Sequence, residues 1–208
     1  MIDWSQLIKG RDQVHKKYPT IWNLKLMKRP SRLVMTLLGP GMRVLDIGAS
    51  DRRMERGIKD IYPDIIYKSM DVDRGLPHDY YSLDEIDEQF DLIILFEVIE
   101  HLGLDEGITM LGRLKELLVH GGKLIISTPN IFNPGRFWFD ATHKVAYSYE
   151  ELGGILLDQG FEVLEIYRTY NASIPKYIVR VTFFYPLHKI LNVDFAKSIV
   201  FLAQKSRK

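Results

Sequence analysis

The sequence contains no cysteine, which excludes a disulfide framework and any thiolate metal site. It also lacks an apolar run long enough to span a bilayer. The first residues, Met1 to Gly10, mix charged and aromatic side chains and have no signal-peptide core. These three absences set the expectation of a cytoplasmic protein with no transmembrane segment. A strong charge imbalance is missing too. The net charge of +1 is not the basic footprint that nucleic-acid binding usually leaves, so a nucleic-acid partner is not expected. There is no internal repeat and no low-complexity tract. What remains is an ordinary globular composition, 46% hydrophobic and 26% charged over 208 residues, enough for one α/β domain with a sizeable core.

Charge is uneven along the chain. Lys9, Arg11, Lys16, Lys17, Lys25, Lys28, Arg29 and Arg32 face a lone Asp12, and Asp84 to Glu106 is acidic. At that density the basic segment reads as a solvated helix face.

Residues 1–38 read as a helical N-terminal extension packed on the core, ending at the Gly39-Pro40-Gly41 breaker. From residue 39 to 208, short branched apolar runs alternate with helical patterns. Val44 to Ile47, Ile65 to Met70, Leu92 to Phe96, Lys123 to Ser127, Phe161 to Tyr167 and Ser198 to Ala203 read as strands, with a short strand or a helical turn within 75–89. Arg52 to Ile61, Gly107 to Leu118 and Tyr147 to Leu157 read as helices, the last capped by Ser148 with Glu151 three residues on. Runs buried on both faces suit a parallel sheet. The alternation gives a single domain with a Rossmann-like, doubly wound sheet.

The chemistry collects where strands end. Asp46-Ile47-Gly48-Ala49-Ser50 closes the first run with a tight turn that brings bare backbone close to a ligand. The nicotinamide fingerprint wants further glycines for a pyrophosphate, and Asp51 would repel one. A cationic sulfonium meets no such objection. Asp71 closes the next strand, where a carboxylate can accept both ribose hydroxyls. Asp79 lies further along, where adenine would be expected. In Glu97-Val98-Ile99-Glu100-His101, a helical turn after Phe96 would put Glu97, Glu100 and His101 on one face. Such a set suits a divalent cation or a histidine base oriented by a carboxylate. His143 sits in a loop expected to overhang the same sheet end. We expect both histidines to face one shared site.

Taken in order, Val44-Leu45-Asp46-Ile47-Gly48, Met70-Asp71-Val72, Phe90-Asp91-Leu92-Ile93-Ile94 with Glu97 to His101, Gly121 to Asn130, and Glu151-Leu152 before Gly160-Phe161 resemble the class I S-adenosylmethionine-dependent methyltransferases. The likeness is strongest to the ubiquinone-pathway O-methyltransferase-like group and covers roughly residues 40 to 170. It implies a seven-stranded, mostly parallel sheet with one antiparallel strand near the C-terminus. It also implies S-adenosylmethionine as cofactor, bound by Gly48 and Asp71 with Phe96 beside its adenosine or methionine part. Asp46, Ser50, Asp79 and Glu97 complete the candidate cofactor set. Ser50 departs from the family, which usually has a second glycine there. His101 and His143 are the candidate catalytic bases, and the implied reaction is methyl transfer to an oxygen, less readily a nitrogen, of a small molecule or glycoconjugate.

Two other readings remain open. The small-RNA 3′-terminal 2′-O-methyltransferases share Glu-x-x-Glu-His, Ser-Thr-Pro-Asn and a following His-Lys; in that resemblance Glu97, Glu100, His101 and His143 would hold a divalent cation. The broken glycine pair also fits a non-catalytic scaffold of the same fold. Finally, residues 176–192 are too apolar for a free loop; core packing or a homodimer contact is expected there, ahead of a substrate-covering lid or a membrane-surface patch.

Overall fold

The structure, a computed structural model, describes residues 4–170 and 174–206. The first three residues of the expected N-terminal extension and the last two of the chain lie outside the described residues. In chain order the main elements are α1 (Trp4–Lys17), β1 (Lys25–Met27), α2 (Pro30–Leu37), β2 (Arg43–Ile47), α3 (Arg53–Lys59), β3 (Ile66–Met70), β4 (Phe90–Phe96), α4 (Leu104–Leu117), β5 (Leu118–Pro129), α5 (Tyr149–Asp158), β6 (Phe161–Thr169), α6 (Ile174–Val179), α7 (Tyr185–Leu191) and β7 (Ser198–Lys205). A π-helical stretch, Arg180–Phe184, joins α6 to α7.

The seven strands form one sheet in the order β1-β6-β7-β5-β4-β2-β3. All neighbouring pairs are parallel except those of β7, which runs antiparallel to β5 and β6. The central strands are apolar on both sides because both faces are covered. Leu45, Ile93 and Leu95 pack with Val14, Leu114 and Leu152 on one face. Val44, Leu92 and Ile94 pack with Val34 and Ile58 on the other.

The N-terminal segment is not helical throughout. Residues 25–27 form β1 and pair with β6 at the sheet edge, since Pro30 fixes the start of α2 and leaves the preceding residues extended. This strand supplies the seventh position. Of the two alternatives within 75–89, the helical turn is present as a 3-10 turn at Leu83–Glu85, while the strand is only an isolated bridge between Met70 and Tyr80, where the polar, turn-rich sequence cannot fill a ladder. β5 also starts earlier than expected, at Leu118, and runs through Gly121-Gly122 across a register shift against β4. Glycine there reads as a bulge within the strand. Ser148 caps α5 as expected, its hydroxyl accepting from Glu151 N at 3.0 Å.

α1 lies against α5 at very short range. A Cβ on Gly154 would come within 2.9 Å of Arg11 N, and one on Gly10 within 2.8 Å of Gly154 O. Bare backbone on both helices permits the contact, which seats Leu7 and Val14 in the core.

The segment at 176–192 is not core. Ile178, Val179, Phe183, Leu187, Ile190 and Leu191 are all exposed. Its foot is anchored instead: Trp22 meets Tyr185 edge-on at 5.1 Å, and Arg168 stacks on Trp22 at 4.3 Å. Among the described residues, no helix is long and apolar enough to cross a membrane.

Candidate active site

Two strand ends build the cofactor side. Gly48 follows β2 with φ +74°, and an added Cβ would fall 2.4 Å from Val98 Cγ2. Only glycine satisfies both the left-handed backbone and the close approach. Ser50 also adopts a left-handed φ of 47°. That conformation explains why a glycine is usual at this position, and serine there costs roughly 1 kcal/mol. Two hydrogen bonds hold the loop: Gly48 N donates to Met70 O at 2.8 Å, and Ser50 N donates to Asp71 Oδ2 at 2.9 Å.

Asp71 is half-buried at the end of β3, and its other oxygen accepts from Asp73 N at 3.0 Å. Each oxygen keeps a further lone pair for a ribose hydroxyl. Asp46 lies beneath the loop, 6% exposed, accepting from the Tyr67 hydroxyl. Burial pushes its pKa up to about 6; the Tyr67 hydrogen bond opposes this and the Asp71 charge adds to it. Asp79 is committed to the protein, accepting from Ser69 N and Ser69 Oγ at 3.0 Å each and pairing with Arg52 at 3.3 Å. Burial works against its ionised form, but the Ser69 and Lys68 hydrogen bonds outweigh that and hold its pKa low. The concentration of carboxylates around the loop suits hydroxyl donors and a sulfonium cation, and is unsuited to a pyrophosphate.

Phe96 and Glu97 line a cleft of ≈ 390 Å³ with Ser127, Arg136, Lys28 and Arg29. The last two belong to the basic segment read as a solvated helix face. They reach the site because β1 carries them to the end of the sheet. Glu97 departs from expectation in another way. Its φ is +53°, so it is not on a helical face with Glu100 and His101; its carboxylate accepts from Ser127 Oγ at 2.7 Å and Arg136 at 3.4 Å.

After Glu97 the chain makes a short 3-10 turn, Ile99–His101, which drives Glu100 inward and leaves His101 half-exposed. The 130–148 loop returns over this turn, with Lys144 N and Val145 N donating to Glu100 O at 2.7 and 3.2 Å. That contact brings His143 to His101, with ring centroids 4.8 Å apart. Ligand atoms of Glu100, His101 and His143 lie within 4.8 Å of one another. The structure therefore gathers three of the four residues considered for a metal and sets Glu97 apart on Arg136.

The hydrogen bonds assign the histidine tautomers. The Thr142 hydroxyl donates to Asp140 Oδ1 at 2.7 Å, leaving its oxygen to accept from His101 Nδ1 at 2.8 Å. His143 Nδ1 donates to Phe137 O at 2.6 Å. Both rings thus keep the Nε2 lone pair free, as a base or a metal ligand requires. Hydrogen bonds from Thr142 hold the Asp140 pKa below its ordinary value, which keeps this relay charged. Asp140, Thr142 and Arg136 carry no motif that singles them out in sequence.

Glu100 is fully buried, and neither carboxylate oxygen has a hydrogen-bond partner. Burial, reinforced by the Glu97 charge, pushes its pKa from the ordinary 4.5 up to about 8. Between those values the folded chain holds a proton that the unfolded chain has released. This contribution to stability is complete below about pH 4.5 and is lost as pH rises through about 8. We expect Glu100→Gln to flatten the fall in denaturant midpoint across that window; a wild-type curve already flat there would refute the buried protonated carboxyl.

A family model described as a methyltransferase domain matches residues 22–166. The chain belongs to the methyltransferase domain family. Its fold matches an S-adenosylmethionine-dependent methyltransferase of Archaeoglobus fulgidus, at 18% identity and a TM-score of 0.67, over 98% of this chain and 100% of the other. It also matches a cyclopropane synthase of Mycobacterium tuberculosis, at 15% identity and a TM-score of 0.58, over 84% and 82% of the two chains. A Methanosarcina mazei methyltransferase aligns at 12% identity and a TM-score of 0.59, over 88% and 100%. No curated protein matches the sequence. This methyltransferase shares the fold of S-adenosylmethionine-dependent methyltransferases.

For this methyltransferase the first expected result concerns the cofactor side. Asp71→Ala removes a charged acceptor and should weaken cofactor binding by roughly 1.5–3 kcal/mol, read by calorimetry. Unchanged affinity in a folded variant would mean the ribose lies elsewhere.

Proposed function

We propose that this methyltransferase methylates a hydroxyl oxygen of a small molecule or glycoconjugate, with His143 or His101 as the base. The cysteine-free composition suits the reducing cytoplasm as its place of work. A structural neighbour is a cyclopropane synthase, so the fold by itself does not name the acceptor atom.

The observation that carries the proposal is the pair of imidazoles at 4.8 Å with both Nε2 lone pairs free. Bound S-adenosylmethionine supplies an already activated methyl group. The chain has only to align the acceptor and take its proton. In this reading Gly48 and Asp71 hold the nucleoside end, Phe96 and Glu97 border the methionine end, and a histidine Nε2 receives the hydroxyl proton. The Asp140–Thr142 relay stabilises the imidazolium that forms on His101. Lys28, Arg29, Arg136 and Lys197 border the same cleft and favour an acceptor carrying negative charge. Transfer of a labelled methyl group to a panel of hydroxylated acceptors tests the proposal; transfer only to nitrogen or carbon acceptors would overturn it.

A second reading has its own observation. The Glu100 carboxylate, buried without a hydrogen bond beside two imidazoles, suits a divalent cation, which would supply Lewis acidity toward an acceptor hydroxyl. Turnover abolished by a chelator and restored by added manganese or zinc selects this reading; indifference to chelation selects the metal-free base.

A further inference from the structure

From Tyr170 to Val193 the sequence has no aspartate or glutamate, while Lys176, Arg180, His188 and Lys189 punctuate it. Over the same stretch Val179, Phe183, Leu187 and Ile190 recur at helical spacing, and all four are exposed, Phe183 to 79% and Ile190 to 80%. Phe184 and Leu191 widen the stripe and are exposed as well. A helix with an exposed apolar face and only positive charge fits the polar–apolar boundary of a lipid surface. A protein partner fits less well, since the cores of protein interfaces are depleted of lysine.

We propose that the helical segment Ile174 to Leu191 docks on an anionic phospholipid surface. Phe183, Leu187 and Ile190 enter the acyl boundary, while Lys176, Arg180 and Lys189 meet lipid phosphates. A hollow of ≈ 500 Å³ lined by Lys176, Arg180 and His188 with Pro175, Val179 and Phe184 offers a seat for one headgroup. The segment leaves the sheet after Thr169 and returns at Ser198, at the same end as Phe96 and Ser127. Trp138 and Phe139, exposed to 82% and 87%, project from the loop over that end. Docking therefore turns the mouth of the active-site cleft toward the bilayer. The anchored foot, through Trp22, Tyr185 and Phe195, fixes the segment to the body, so binding orients the whole enzyme. This inference goes beyond the reaction proposed above and does not depend on it.

Flotation of the full chain with vesicles of phosphatidylcholine alone, or of phosphatidylcholine with phosphatidylglycerol, tests it. The expected result is flotation with the anionic vesicles, weakened by salt, and little with the neutral ones. Lys176→Gln with Lys189→Gln should lower the partition by roughly tenfold or more. Phe183→Ser with Ile190→Ser should do the same, with unchanged thermal melting, because both side chains are solvent-exposed. Equal binding to both vesicle types, no binding, or undiminished binding by the variants would overturn the proposal. So would a concentration-dependent dimer that the serine variants abolish in a protein that never floats.

Discussion

His143→Ala lowers turnover by roughly 10²–10⁴-fold, the loss expected for a missing general base, and leaves S-adenosylmethionine binding intact. The split between the two readouts follows from position. The His143 ring packs on His101 and faces Glu100 Oε1 at 4.0 Å, whereas the Gly48 and Asp71 contacts lie on the β2 and β3 ends. His101→Ala should behave alike, and Thr142→Val should reproduce part of the loss, because it frees the His101 tautomer without touching the ring. Single-turnover rates with saturating cofactor provide the check. A His143→Ala enzyme with normal turnover would demote that histidine to packing.

The second large effect is on stability. Asp194 is fully buried; it accepts from Arg168 at 2.7 Å, from Asn130 Nδ2 at 2.9 Å and from Phe195 N at 2.8 Å. Asp194→Ala leaves the Arg168 guanidinium buried without its counter-charge, at a cost of roughly 3–5 kcal/mol. Because Asp194 ties Asn130, just after β5, to Arg168, near the end of β6, across the intervening β7, the loss also frees the foot of the α6–α7 segment. Denaturant unfolding measures the first consequence and limited proteolysis within 174–191 the second. A cost below about 1 kcal/mol would show that the pair is hydrated in solution.

Much of this was legible in the residues. The double-sided apolar runs at 44–47 and 92–96 suit a covered parallel sheet, and their strands end where the sequence turns to Gly48 and to the acid Glu97. The convergence of His101 and His143 followed from their lying after neighbouring strands. What the pattern hid were conformations that run against local propensity. Glu97 sits at positive φ, which no helical periodicity announces, so its carboxylate went to Arg136 and left the cluster. Lys28 and Arg29 looked like a solvated charge run because β1, too short and polar to register as a strand, is held only by its partner β6. The stripe at 176–192 pointed to core packing or a dimer contact, and the structure removes only the first, because apolar spacing reports amphipathicity and cannot say what covers it.

Isothermal titration of the purified chain with S-adenosylmethionine tests the central claim most directly. The account predicts micromolar binding that Asp71→Ala weakens by roughly 1.5–3 kcal/mol and His143→Ala leaves unchanged. No heat from the folded wild-type protein, or equal affinity in the Asp71→Ala variant, would contradict it.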